Sequence, residues 1–256
     1  MSNLNPALLR PLREYVDFFW QSDGYVQPHS SERMLPTGTI DVVIDLRAPK
    51  RSVASGIQTS SIRLDTSGPL TLFGIRLKAG GAAGVLGIPA IELQNQSVLL
   101  NDVWPCADEL TAVLGRTSDS HARARSVEKF LLHRIRDSSS ADPVIRWAAE
   151  RWRSASGSVP VEVMADQLGF GVKRFSQRFG EQVGVAPKAY ARIMRFQNSL
   201  SIMRGMANPD WADVALRAGY YDQAHFNHDF RKFAGCTPSV YLARRTDHPN
   251  HMRTAG

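Results

Sequence analysis

The sequence is poor in cysteine and has no long apolar run. Among its 256 residues the only cysteines are Cys106 and Cys236, which are too few for a disulfide framework and too far apart for a CxxC metal-binding pair. No apolar run approaches the roughly 20 residues that span a bilayer, and residues 1–13 lack the apolar core of a signal peptide. We therefore expect a cytoplasmic protein of bacterial type that makes no contact with a membrane.

Acidic residues are outnumbered in the second half of the chain. Residues 1–138 contain 15 Lys and Arg against 14 Asp and Glu, a net charge of +1, whereas residues 139–256 contain 16 against 10, a net charge of +6. A basic excess confined to one part of a chain indicates a polyanionic partner for that part. Many basic domains bind no nucleic acid, so the charge alone does not identify DNA.

A polar segment at residues 137–143 divides the chain. Three consecutive serines, at 138–140, interrupt a helical pattern, and Asp142 followed by Pro143 has the N-cap and N1 signature of a new helix. We therefore predict one domain at 1–138, a second at 143–245 and a disordered tail at 246–256.

The first domain combines strand and helix patterns. Alternating and β-branched runs predict strands at 15–20, 40–46, 52–57 and 70–78. Amphipathic patterns predict helices at 105–114 and 121–136. These elements favour an α+β fold, in which a small, mostly antiparallel sheet or barrel carries appended helices.

A pattern of eight positions occurs twice in the second domain. The first copy consists of Ala165, Gly169, Phe170, Phe175, Phe179, Gly184, Pro187 and Tyr190. The second copy consists of Ala215, Gly219, Tyr220, Phe226, Phe230, Gly235, Pro238 and Tyr241. Matching positions are fifty residues apart before the turn and fifty-one apart after it, so the second copy has one extra residue at its turn.

Each repeated position has a physical reason to be there. The alanine lets two helices cross closely, and the first glycine allows the left-handed backbone of a helix-turn-helix turn. Phe175 with Phe179, and Phe226 with Phe230, are pairs four residues apart that pin a second helix to its core. Two such units, joined by a long helix at about 187–206, predict an all-α second domain with two recognition helices.

The faces opposite to these aromatic pairs are predicted to enter the major groove of DNA. Glutamine and asparagine pair with adenine, and lysine reads guanine. The predicted base-facing residues are Lys173, Ser176, Gln177, Gln223, His225, Asn227 and His228. Arginines near these faces are predicted to contact backbone phosphates, with interior ion pairs as the alternative; they are Arg174, Arg178, Arg192 and Arg231.

The same residues carry a family resemblance. The stretches GVKRFSQRFGEQVGVAPKAY and ALRAGYYDQAHFNHDFRKFAGCTPSVYL resemble the tandem helix-turn-helix domain of AraC/XylS-type transcriptional regulators, over about residues 143–245. The resemblance implies a sequence-specific DNA-binding regulator, an activator or a repressor, whose recognition helices enter adjacent major-groove turns about 34 Å apart. LPTGTIDVVIDL, LFGIRLKAGGAAGVLGIPAIEL and NDVW are similar to the N-terminal domain of a subset of these regulators, which implies a sensing or dimerisation role for residues 1–138.

Other interpretations of these residues stay open. His225 and His228 lie three residues apart on a helix, but the sequence shows no further zinc ligands, so we expect no metal and no cofactor. Cys106 is the thiol that a DNA-delivered alkyl-transfer repair protein would need, and the helical repeats could instead bind protein. We expect no enzymatic activity. Double-stranded DNA is the expected partner; RNA polymerase, a small-molecule effector and a second copy of the chain are further candidates.

Overall fold

A computed structural model describes residues 2–4, 8–25, 29–136, 141–248 and 250–254 of the chain. The serine-rich segment predicted to separate the two domains lies, at 137–140, outside the described residues, as do the last two residues of the predicted tail. Within the described ranges, no helix is long and apolar enough to cross a membrane.

The described residues of the first half of the chain contain eight strands. They are β1 (Ser2–Leu4), β2 (Val16–Tyr25), β3 (Ser31–Met34), β4 (Ile40–Asp45), β5 (Val53–Ser55), β6 (Ile62–Asp65), β7 (Leu70–Leu77) and β8 (Ser97–Leu99). Six of them form one sheet in the order β1-β2-β7-β4-β5-β8, and every neighbouring pair is antiparallel. The antiparallel sheet expected from the sequence is confirmed.

Strand β4 illustrates why the sequence forms this sheet. Ile40, Val42 and Ile44 are buried on one face because successive side chains of a strand point to opposite sides. Asp41 lies on the other face, where its two carboxylate oxygens accept hydrogen bonds from Arg76 at 3.0 and 3.1 Å. This carboxylate is therefore held in a structural ion pair across β4 and β7.

Four helices and three 3-10 turns accompany the sheets among the described residues of this half. The helices are α1 (Ala82–Leu86), α2 (Leu100–Val103), α3 (Ala107–Gly115) and α4 (Ser120–Arg136). The 3-10 turns are Arg10–Glu14, Pro49–Arg51 and Ala90–Leu93. Buried Trp104 joins α1 to α4: its indole nitrogen donates to the Val85 carbonyl at 2.9 Å, and its ring lies 5.2 Å from that of Phe130.

The second half of the chain is helical apart from one short strand described below. Its helices are α5 (Pro143–Ser154), α6 (Val161–Gln167), α7 (Val172–Val183), α8 (Pro187–Ile202), α9 (Trp211–Ala218), α10 (Gln223–Ala234) and α11 (Pro238–Arg244). Helices α6 and α7 form the first helix-turn-helix, and α9 and α10 form the second. Helix α8 joins them, so the predicted fold class, an α+β domain followed by an all-α domain with two such units, is confirmed.

Two aromatic clusters anchor the recognition helices to α8. In the first, the Tyr190 ring of α8 lies 5.5 Å from Phe179 and 6.4 Å from Trp152 of α5. In the second, the Phe196 ring of α8 lies 5.2 Å from Phe230 and 5.1 Å from Phe233. Edge-to-face and tilted contacts at these distances add to the free energy of burying the rings. The single helix α8 thus carries both units.

The carboxyl-terminal segment is not the disordered tail that the sequence predicts at 246–256. Residues His251–Arg253 form a strand, β9, which pairs with β3 and completes a second sheet in the order β6-β3-β9. Glu32 of β3 is 1% exposed; its carboxylate lies 2.7 Å from Nδ1 of His251 and 2.5 Å from Nε2 of His29. Backbone pairing and these side-chain bonds hold the segment against the first domain.

The environment of Glu32 keeps this carboxyl group ionised. Burial alone would raise the pKa of Glu32, but hydrogen bonds from His251 and His29, together with the field of both imidazoles, lower it below the usual value. The charged form of Glu32 is therefore part of the contact between β3 and the carboxyl-terminal segment.

Trp152 is predicted to be the main stability determinant of the first helix-turn-helix. It is fully buried, its ring lies 5.9 Å from Phe175 and 5.2 Å from Phe179, and its indole nitrogen donates to the Val159 carbonyl at 2.7 Å. Trp152→Ala should lower the free energy of unfolding by about 3–5 kcal/mol, because it leaves a cavity among these rings.

The matched control for this substitution is Trp147→Ala on the same helix, where the side chain is 48% exposed. We expect it to change the free energy of unfolding by less than about 0.5 kcal/mol in denaturant titrations. Equal losses for the two tryptophans would contradict the packing described here.

Candidate nucleic-acid interface

Both helix-turn-helix units turn through a glycine with a left-handed backbone. The φ angle is 71° at Gly169 and 89° at Gly219, a conformation that a residue with a side chain adopts only with strain. Ala165 and Ala215 are fully buried where the first helix of each unit meets the second. The roles predicted for the repeated alanines and glycines are therefore confirmed by the geometry.

The first recognition helix, α7, has one aromatic face and one polar face. Phe175 and Phe179 are fully buried, whereas Lys173 and Gln177, displaced from them by two residues, are exposed. The side-chain amide of Gln177 donates to Glu181 Oε1 at 3.0 Å. One of its donors is thus already engaged along the helix, and its carbonyl oxygen is left for another donor.

The second recognition helix, α10, repeats this arrangement with a stronger N-cap. The Asp222 side chain accepts a hydrogen bond from the His225 amide at 2.7 Å. The N-cap position of α7 is occupied by Gly171, which has no side chain to accept such a bond. Phe226 and Phe230 are fully buried, and His228 lies on the exposed face opposite to them.

The predicted base-facing residues differ in their exposure to solvent. Four are exposed: Lys173, Gln177, Gln223 and His228. Three are half-buried: Ser176, His225 and Asn227. The His225 ring stands edge-on to that of Tyr220 at 5.2 Å, and its Nε2 lies 4.0 Å from Asp229 Oδ2. His225 therefore lies at the margin of the exposed face, next to the turn.

Arg192, predicted to face phosphate, is held in an ion pair with a buried carboxylate. Its Nε and Nη2 donate to the Asp229 carboxylate at 3.1 and 2.5 Å, and its guanidinium lies 5.6 Å from the centre of the Phe233 ring. The Asp229 side chain is only 1% exposed. The hydrogen bond to Asp229 raises the pKa of Arg192 further above its usual value, so the pair is a charged clasp between α8 and α10.

The other predicted phosphate-facing arginines are more accessible. Arg174 and Arg231 are exposed, and the guanidinium of Arg174 lies 5.8 Å from the centre of the Phe170 ring. Arg178 also lies over Phe170, at 5.3 Å, but its Nε donates to the N-cap carboxylate of Asp142. Arg178 thus ties α7 to the start of α5, although its side chain remains 40% exposed.

Sequence reasoning missed two apolar side chains beside the second recognition helix. Tyr221 is 87% exposed and precedes the N-cap of α10, and Leu216 of α9 is 64% exposed. The signal in the sequence was the doubled tyrosine at 220–221, of which only Tyr220 is buried.

The first domain contacts the carboxyl-terminal ends of both recognition helices. The 3-10 turn at Ala90–Leu93 lies against α7, and a Cβ added at Gly184 would come within 2.9 Å of the Ala90 carbonyl oxygen. At the end of α10, Arg33 of β3 and the Ser61 hydroxyl donate to the Ala234 carbonyl, each at 3.3 Å. One rigid sheet domain therefore touches both units.

Breaking the clasp between α8 and α10 should cost stability. Arg192→Ala leaves the buried Asp229 carboxylate without its bidentate partner, and we expect a loss of about 3–5 kcal/mol in the free energy of unfolding. Arg231→Ala, an exposed side chain on α10, is the control and should change the free energy of unfolding by less than about 0.5 kcal/mol. Near-equal unfolding free energies for the two variants would show that Arg192 is not a structural residue.

Comparisons with known families and proteins agree with this geometry. Residues 164–244 match the family model of a helix-turn-helix domain, and residues 6–99 match that of a domain of unknown function, DUF6597. The transcriptional regulator ExsA of Pseudomonas aeruginosa is 32% identical over 75 residues, which cover 28% of this chain and 26% of that protein. The thermoregulatory protein LcrF of Yersinia pestis is 30% identical over 83 residues, covering 29% and 27%.

The chain thus spans about a quarter of the length of these curated relatives. Among solved structures, ToxT from Vibrio cholerae is similar with a TM-score of 0.47 and 12% identity, over 89% of this chain and 94% of that one. The C-terminal domain of AraT from Geobacillus stearothermophilus has a TM-score of 0.39 and 21% identity, over 42% and 90%. Residues 164–244 form an AraC-type helix-turn-helix domain.

Proposed function

We propose that the protein is a transcription regulator that binds a specific DNA site with both recognition helices, α7 and α10. The observation that carries this proposal is the repeated division of each helix into two faces. Each buries a phenylalanine pair, Phe175 with Phe179 or Phe226 with Phe230, and leaves polar side chains in solvent on the opposite side. A helix with this division fits the major groove, because its polar face can meet base edges while its apolar face stays in the core.

The exposed residues suit base recognition. In α7, Lys173 and Gln177 are one helical turn apart and can follow neighbouring base pairs, lysine at guanine and glutamine at adenine. In α10, His228 lies at the centre of the exposed face, with Asn227 at its edge and Gln223 at the first turn. Ser176 and His225, which are half-buried, are the weaker candidates.

Arginines near the two polar faces are the proposed contacts with the phosphate backbone. Arg174 and Arg231 are exposed beside the two polar faces, and neither has a carboxylate within ion-pair distance among the described residues. With the net charge of +6 over residues 139–256, they supply the salt-dependent part of the affinity. Arg178 would contribute only through the part of its side chain that Asp142 leaves free.

The first domain is proposed to modulate binding through its contacts with both recognition helices. A change in this domain would reach α7 through the 3-10 turn at Ala90–Leu93 and α10 through Arg33. Small molecules, RNA polymerase and a second copy of the chain are the partners through which such a change would arise. Since the domain touches the ends of the helices and not their polar faces, it leaves the DNA-facing surface open.

Cys106 gives one observation in favour of a second candidate function, alkyl-transfer repair of DNA. This half-buried thiol lines a cavity of about 880 Å³ together with His133 and Arg134. In this function the Cys106 sulfur would bond to the alkyl carbon while the bond between that carbon and the damaged DNA breaks. The repaired DNA atom is then the leaving group, and the thiol proton passes to it or to solvent. Incubation with alkylated DNA, followed by mass measurement of the parent and of Cys106→Ser, decides between the two functions, because a regulator gains no mass in either form.

Substitution of a residue that contacts a base should reduce sequence discrimination more than it reduces stability. Selection of bound sequences from a random DNA library would give the preferred site. Gln177→Ala and Asn227→Ala should each reduce the difference in binding free energy between the preferred base and the other bases, at one position of that site, by about 1–3 kcal/mol. Gln167→Ala, an exposed glutamine at the end of α6, is the matched control and should keep the parent's preference. If the parent showed no preferred site, the helical repeats would have another partner, such as a protein.

Arg174, on the exposed surface of α7, should instead contribute to the affinity for all DNA sequences alike. Arg174→Ala removes one phosphate contact, so the slope of log affinity against log salt should become shallower by about one unit at both the preferred site and random DNA. Arg125→Ala, an exposed arginine on α4 of the first domain, should leave the slope unchanged. A slope that stays at the parent's value in Arg174→Ala would place this residue away from the DNA backbone.

A further inference from the structure

Four arginines surround one cavity between the first domain and the second helix-turn-helix. The cavity has a volume of about 360 Å³ and lies where the sheet β6-β3-β9 meets the end of α10. The lining residues that set its charge and its open space are Arg33, Arg63, Arg244, Arg253, Ser61 and Gly235. No lysine, aspartate or glutamate lines it among the described residues, so its charge is that of the guanidinium groups.

The sheet register forces two of these arginines together. Arg33 of β3 pairs directly with Arg63 of β6, and directly opposed like charges destabilise an antiparallel pair. Arg253 comes from the neighbouring strand β9, and Arg244 from the last turn of α11. Four separate elements therefore bring positive charge to one place, which costs free energy unless an anion offsets it.

No carboxylate of the described residues forms an ion pair with this cluster, although the charge of Arg63 helps to lower the pKa of Asp65, which is lowered mainly by hydrogen bonds from Ser67. Among the described residues, no carboxylate oxygen lies within 4 Å of any of the four guanidinium groups. Arg33 donates to the Ala234 and Gly235 carbonyls at 3.3 and 3.5 Å, and Arg63 uses only its Nε, which donates to the Ser31 hydroxyl at 2.7 Å. Within the described ranges, the terminal nitrogens of Arg63 and the whole guanidinium groups of Arg244 and Arg253 have no hydrogen-bond or ion-pair partner.

We propose that this cavity binds the phosphoryl group of a small phosphorylated molecule. A phosphoryl group carries up to two negative charges and three acceptor oxygens, so it matches several guanidinium forks at once, whereas a single carboxylate satisfies one. The volume suits a phosphoryl group with a small organic body, since ligand cavities begin at about 300 Å³. The absence of a side chain at Gly235 keeps the space open: a Cβ there would come within 2.2 Å of Arg33 Nη1.

The position of the site gives the ligand a regulatory consequence, which rests on the proposed DNA-binding function. Arg33, Arg63 and Arg253 belong to the sheet that holds the first domain, while Arg244 follows the second recognition helix. A bound phosphoryl group would connect the first domain to the second helix-turn-helix, next to the hydrogen bond that Arg33 donates to the Ala234 carbonyl at the end of α10. The ligand therefore stabilises the docked arrangement of the sheet domain on the second helix-turn-helix.

The test uses the full chain without DNA. Inorganic phosphate, pyrophosphate and adenosine monophosphate are titrated by calorimetry at constant ionic strength in chloride, and at least one is expected to bind saturably. Arg63→Ala and Arg253→Ala, both exposed side chains outside the helical core, should each weaken that binding at least about tenfold. Arg125→Ala on α4 should bind as the parent does. Absence of saturable binding, or equal affinities in all variants, would overturn the proposal.

A second arm separates a small molecule from the DNA backbone as the source of the phosphoryl group. The salt dependence of DNA binding is measured for Arg63→Ala and Arg253→Ala. We expect the slope of the parent, because Gly235 at the cavity lies about 18 Å along the helix axis from Gln223, a proposed DNA-facing residue at the start of α10. A shallower slope without binding of any free probe would assign the cluster to DNA and overturn the proposal. Because the first arm contains no DNA, its result stands whether or not the protein is a regulator.

Discussion

The structure depends on one constraint: both recognition helices pack on the same helix, α8. Tyr190 of α8 belongs to the aromatic cluster of the first unit and Phe196 to that of the second, six residues further on. At 1.5 Å per residue these anchors are about 9 Å apart along the axis, on different sides of the helix. The clasp between Arg192 and Asp229 adds a charged contact between α8 and α10. Relative motion of the two polar faces would therefore require repacking of buried rings.

The sheet domain adds a second connection between the two units. It meets α7 through the 3-10 turn at Ala90–Leu93 and α10 through Arg33 and Ser61, in each case at the carboxyl-terminal end of the helix. The polar faces stay open, so a signal received by the sheet domain would act on how the helices are held and not by covering them. The strand β9 strengthens this connection, because it follows the helical domain in the chain and pairs with β3 of the sheet domain.

The repeated positions made most of the second domain predictable, because local pattern and core packing agree there. Glycine turns, buried alanines and phenylalanine pairs all lie where the spacing placed them. The failures share a different cause. Glu32 meets His251 across 219 positions of the chain, and Arg192 meets Asp229 across 37. Partners so far apart leave no periodic signal, so the sequence predicts a disordered tail where the structure has a strand, and it does not identify Asp229 as the partner of Arg192. The base-facing assignments remain predictions.

The central claim is that α8 fixes the two recognition helices at one spacing on one DNA face. Its most direct test is the affinity for a selected site in which about five base pairs, roughly half a turn of B-DNA, are inserted between the two contacted segments. The account predicts that affinity falls to that of a single segment, and that an insertion of about ten base pairs does not restore it, because α8 cannot lengthen. Undiminished affinity for the five-base-pair insertion would contradict the account.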